Sequence, residues 1–131
     1  MATCCNTDPT CCCVGDIDKK PGEVLAVTLD LSQWVGENGT ILTNAGDYSF
    51  TVYDVTNDAA APAPPAGVGV VANSVTVGRD DDGVPGLLMF GIEGGTAGTV
   101  YRIDFELRIR DCNGFVQVIQ NCITVRVYSC N

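Results

Sequence analysis

Hydrophobic and polar residues alternate along much of this chain, most regularly near its end. In TVYRIDFELRIRDCNGFVQVIQNCITVRVYS (99–129), Tyr101, Ile103, Phe105, Leu107 and Ile109 alternate with Arg102, Asp104, Glu106, Arg108 and Arg110. A period of two places the first set on a buried face of a β-strand and the second on a solvated face. Asn113-Gly114 follows, a pair suited to a type I′ hairpin turn, which needs positive φ at both central residues. The return strand slips out of phase around Asn121 and Cys122, which predicts a bulge.

Upstream the same period recurs. EVLAVTLDLSQWV (23–35) reads as a strand with Leu25, Val27 and Leu29 on one face, and Trp34 is expected in the core. In DYSFTVYDV (47–55), Tyr48, Phe50 and Val52 point one way and Ser49, Thr51 and Tyr53 the other. VGVVANSVTV (68–77) and GLLMFGIE (86–93) are apolar runs that lean to strand. Between these lie GENGT (36–40), the Ala/Pro-rich NDAAAPAPPAG (57–67) and GRDDDGVPG (78–86), all turn or loop material. GDIDKKPGE (15–23) reads as an extended approach to a Pro-Gly turn. About six strands at hairpin spacing, with no competing helix, predict an all-β fold: a single antiparallel immunoglobulin-like β-sandwich over 20–131. Residues 1–19 are expected as a Cys-rich extended N-terminal arm.

Composition narrows the function. With 131 residues, 46% hydrophobic and 18% charged, the chain is long enough for one core that does not depend on disulfides. Sixteen acidic against seven basic residues give a net charge of −9, which repels phosphate backbones and anionic membranes, so neither nucleic acid nor membrane is an expected partner. No apolar run approaches the ~20 residues of a membrane span, and MATCCNTDPT has no secretory pattern; a soluble product made in the cytoplasm is expected. There is no histidine. Ser-His-Asp, Cys-His and HExxH chemistry therefore drop out, and no enzyme, catalytic residue or cofactor is expected.

KPGEVLAVTLDLSQWVGENGTILT (20–43) and FGIEGGTAGTVYRIDFELRIRDCNGF (90–115) together resemble a family of small tailed-bacteriophage virion proteins, the fibre–tail adaptors. The residues that carry the resemblance are Asp30, Trp34, Thr40 and Ile41, then Gly94, Gly95, Thr96, Ala97, Gly98, Tyr101 and Gly114. It covers about two-thirds of the chain; the first nineteen residues and the insert at 59–67 lie outside the pattern. The resemblance implies an Ig-like fold and a structural role in the virion, present in several copies or as a symmetric oligomer, with tail or connector on one side and fibres on the other. A capsid decoration protein, bound to the major capsid protein, is the alternative.

Other candidates are weaker. GGTAG would cradle a phosphate only if a helix N-terminus followed it; a strand follows, so Gly94, Gly95 and Gly98 are expected to shape a turn. Asp80, Asp81 and Asp82 lack the alternate spacing and terminal Glu of a calcium loop, and a solvated turn is expected. The alternating charges at 102–110 read as a solvent face or a docking face. The eight cysteines, Cys4, Cys5, Cys11, Cys12, Cys13, Cys112, Cys122 and Cys130, lack the CxxC spacing of a zinc knuckle or redox pair. A Cys-rich metal-binding module stays open as a third reading. The expectation is a strap, tied by disulfide or packing to the C-terminal hairpin or to a neighbouring copy; eight cysteines allow 105 complete pairings, so the spacing does not choose among them.

Overall fold

The structure is a computed structural model and describes residues 13–36, 39–44, 46–56, 61–62, 67–111 and 113–128. Among the described residues ten strands and one helical turn follow in order: β1 (Gly15–Lys19), β2 (Leu25–Asp30), α1 (Ser32–Val35), β3 (Thr40–Ile41), β4 (Tyr48–Asp54), β5 (Ala61–Pro62), β6 (Gly69–Val70), β7 (Thr76–Gly78), β8 (Leu87–Glu93), β9 (Val100–Arg110) and β10 (Val116–Val127). They form two sheets. The first runs β1-β10-β9-β4-β5, with β3 beside β4 on the same edge of β9; the second runs β2-β8-β6, with β7 beside β6 on β8. The all-β expectation holds at that level.

The period-two reading of β9 is also the observed one. Tyr101, Ile103, Phe105, Leu107 and Ile109 are all buried. They meet Val27, Leu29, Leu88, Phe90 and Ile92 of the second sheet in one core. Phe50 of β4 is half-buried rather than enclosed, and its ring lies 5.0 Å from that of Phe90 across the two layers. Alternation on both inner faces drives the packing: burial of each such side chain contributes about 1.5–3 kcal/mol, and only two facing sheets bury both sets at once.

Several expectations need correction. The sandwich is not wholly antiparallel, because β1 pairs with β10 in parallel, Gly15 beside Ile123 through Lys19 beside Val127. Residues 15–19 are thus a strand of the first sheet and not free arm. Trp34 is not core: it is 37% exposed. The run 23–35 leaves strand geometry after Asp30, whose carboxylate accepts the Ser32 N–H at 3.0 Å and opens α1. In that helical turn Leu31 and Val35, four apart, both reach the core, and Trp34 falls on the outer side. The apolar run 68–77 is split into the two short strands β6 and β7 rather than forming one.

The hairpin is the last correction. The chain turns between Asp111 and Phe115, whose pairing is closed by Asp111 N–H to Phe115 O at 2.9 Å. Gly114 has φ 86°, and with Asp111 paired to Phe115 the connection is longer than the two-residue I′ turn; a three-residue connection needs only one left-handed residue, which the glycine supplies. The Asp111 carboxylate accepts N–H bonds from Asn113 and Phe115, both at 3.0 Å, and the Gln117 amide at 2.8 Å. Nor is there a bulge. Pairing of β9 with β10 runs without a break from Arg110–Val116 to Val100–Arg126.

Candidate functional site

The unbroken register gives the phase slip another meaning. Along β10, Ile119, Ile123, Val125 and Val127 are buried on the inner face. Val116 and Val118 have the opposite parity, so they stand on the outer face, 50% and 52% exposed, next to Phe115 at 69%. What reads as a defect in the strand is an apolar patch turned to solvent. Beside it on β9 stand Arg110, opposite Val116, and Arg108, opposite Val118; both are exposed and have no ion-pair partner among the described residues. The sequence reading missed Phe115, Val116 and Val118. A signal was present: no charged residue lies between Asp111 and Arg126 in a chain of net charge −9.

The same strand carries an open edge. β1 covers β10 only from Ile123 to Val127, and one further bond, Val14 N–H to Cys122 O at 2.9 Å, ends that coverage. Among the described residues nothing pairs with this edge from Val116 to Asn121. Since Cys122 faces β1, alternation sends the backbone groups of Val116, Val118 and Gln120 to the open side. Natural edge strands are blunted by charge, proline or a bulge. This stretch has none of the three.

At the head of that edge sits a disulfide. Cys13 is bonded to Cys122, 109 residues away in sequence, with Cα atoms 4.6 Å apart. The strap-to-hairpin link is made by this pair. Cys122 shares the outer face with Asp104, its partner on β9, and its bond to Cys13 adjoins the Val14–Cys122 end of the β1 pairing. Cys4, Cys5, Cys11, Cys12, Cys112 and Cys130 lie outside the described residues.

The remaining expected site residues are structural. Gly94, Gly95 and Gly98 all take positive φ in the turn from β8 to β9. A Cβ on Gly95 would stand 2.7 Å from Val127 Cγ2 and 2.9 Å from Val68 Cγ2, so glycine is required there by space as well as by φ. The Thr96 N–H donates to the Tyr101 hydroxyl at 3.1 Å, tying the turn to the start of β9. The charges on the outer face of β9 divide into two groups. Arg102 is held by both oxygens of Asp104 and lies 4.9 Å over the Tyr53 ring, leaving Arg108 and Arg110 as the available cations.

Asp80 makes a closed turn: its carboxylate accepts the N–H of Val84 at 2.8 Å and of Asp82 at 2.9 Å. These bonds hold its pKa below the usual value, Val84 first, with the nearby Ser32 hydroxyl assisting although it does not meet hydrogen-bond geometry. Lys19 is covered, donates to Lys20 O at 2.8 Å, and has its pKa lowered by burial against the opposing pull of Glu23 and Glu93. A cleft of about 410 Å³ opens between β1 and β2, lined by Gly15, Ile17, Val27 and Leu29 among others. Among the described residues no His, Cys, Asp or Glu side chains gather in a group able to hold a metal ion, and no helix is long and apolar enough to cross a membrane.

No protein-family model matches the chain, and no curated protein matches it.

Proposed function

We propose that this protein is a non-enzymatic structural component of a tailed-phage virion, an adaptor that joins fibres to the tail or connector, built on an immunoglobulin-like sandwich. The single observation that carries the adhesive part is the outward apolar patch of Phe115, Val116 and Val118 beside Arg108 and Arg110, which have no ion-pair partner among the described residues. Exposed apolar side chains massed on one rigid hairpin favour contact with another protein surface. These two cations give that contact a preferred polarity in an acidic molecule.

Topology supports the Ig-like part. The order β2-β8-β7 in one sheet and β10-β9-β4-β5 in the other corresponds to the B-E-D and G-F-C-C′ orders of that fold. Tyr101, at the start of β9 and bonded back to Thr96 N–H, occupies the place of the tyrosine corner. The positions that carry the phage resemblance fall at turning points of this body: Asp30 opens α1, Thr40 and Ile41 are β3, and Gly94 to Gly98 form the β8–β9 turn.

Copy number in purified particles, measured by quantitative mass spectrometry against the major capsid protein, tests the reading. About six to twelve copies, the count of a cyclic tail, are expected. A number on the scale of the capsid lattice makes the protein a decoration protein instead. Absence from particles overturns the virion role.

A further inference from the structure

We infer that the open edge of β10 pairs with the same edge of a second copy, antiparallel about a twofold axis through Val118, so that the two outer sheets become one. The inference deepens the adhesive reading of this hairpin by naming a partner for its edge.

Register selects the axis. The residues whose backbone groups face the open side are Val116, Val118 and Gln120, because Cys122, of the same parity, faces β1 through Val14. Reflection about Val118 returns this set to itself: Val118 meets its own copy, and Val116 meets Gln120. Each such pair exchanges both N–H···O bonds, as hydrogen-bonded pairs of an antiparallel ladder do. Moving the axis one residue toward Cys122 would pair Val116 with Cys122, whose edge is already taken by Val14. Moving it the other way leaves Gln120 opposite the hairpin loop.

Charge selects the occupant. Two molecules of net charge −9 repel, yet no charged residue lies between Asp111 and Arg126, so this is the edge along which copies approach without meeting like charge. The neighbouring rows are self-complementary. Gln120 stands beside Glu106 and Val116 beside Arg110, so each row across the axis would run Glu106, Gln120, Val116, Arg110, acidic at one end and basic at the other. Among the described residues the pairing of the chain's own β1 side with this edge reaches Val14 and Cys122 and goes no further toward Val116. An edge this short buries less than the ~1,200 Å² of a standard interface, so pairing in the micromolar range is expected, strengthened where many copies are held together.

Hydrogen exchange and sedimentation of the full chain, from about 5 to 500 μM, test this. The expected result is a monomer–dimer equilibrium in which protection of the Val116, Val118 and Gln120 amides rises with concentration. Val118→Lys sets two ammonium groups face to face and should weaken the dimer at least tenfold. Gln120→Pro removes an N–H that the intramolecular ladder does not use, and should weaken it similarly; an unchanged thermal midpoint in dilute solution shows that each variant folds. A monomer throughout overturns the inference, as does a dimer indifferent to both variants. Protection of the same amides that ignores concentration means that the chain covers its own edge, and this too overturns it. None of these outcomes bears on copy number in particles, so the virion role and the dimer fail separately.

Discussion

Gly95 shows how closely a single residue can be constrained here. It has φ 109° and its missing Cβ would fall within 3 Å of methyl groups on both Val127 and Val68. Gly95→Ala is expected to cost about 1–3 kcal/mol, combining left-handed strain with overpacking, read as a lower urea midpoint. Gly98 in the same turn does not have this double constraint: a Cβ there meets nothing within 4 Å, so Gly98→Ala should lose less. Acid sensitivity is set at the same scale. Asp54 is held below its usual value of 3.8 by the Thr56 hydroxyl and then the Thr56 N–H, and Asp80 is held low mainly by the Val84 N–H. A depressed carboxyl contributes stability above its unfolded value and loses it as pH falls through the folded value. The gap in urea midpoint between the natural chain and an Asp54→Asn, Asp80→Asn variant should therefore be open at pH 7 and close as pH drops below 3.8.

Among elements, β10 links most of the molecule. It carries β1 in parallel, β9 antiparallel, the disulfide and the open edge. The cross-link spans 109 residues, a loop long enough that breaking it should cost about 2–5 kcal/mol. Cys13→Ser and Cys122→Ser should lower the thermal midpoint equally, and the double variant little further, because each single change already removes the bond. A double variant that loses clearly more would show that one of these sulfurs stabilises the fold in another way. At this scale β9 was legible from its own alternation. β1 was not, since GDIDK has only Ile17 as a large apolar residue and owes its strand state to pairing with β10. Trp34 was misplaced for a related reason: alternation could not reveal that the chain turns helical after Asp30 to pass between sheets.

For the whole molecule, a net charge of −9 sets a long-range repulsion that self-pairing must overcome. Raising the ionic strength from about 0.01 M to 0.15 M shortens the Debye length from about 30 Å to 8 Å. Dimer formation should strengthen over that range, checked by sedimentation at fixed protein concentration. Weakening instead would mean that the end-of-row attractions of Glu106 and Arg110 outweigh the net charge.

The all-β class, the two faces of β4 and β9, the glycine turn at 94–98 and the presence of a C-terminal hairpin are legible in the residues alone, because each follows from local periodicity or from a backbone shape that few residues adopt. Tertiary structure decided the rest. Which cysteine joins Cys122, which strand β1 lies beside, and whether the slip at Asn121 is a bulge all depend on residues far apart in sequence. The last is the most consequential, since a phase slip with continuous register can only mean apolar side chains facing outward. That surface is readable once β9 fixes the parity of β10, and not before.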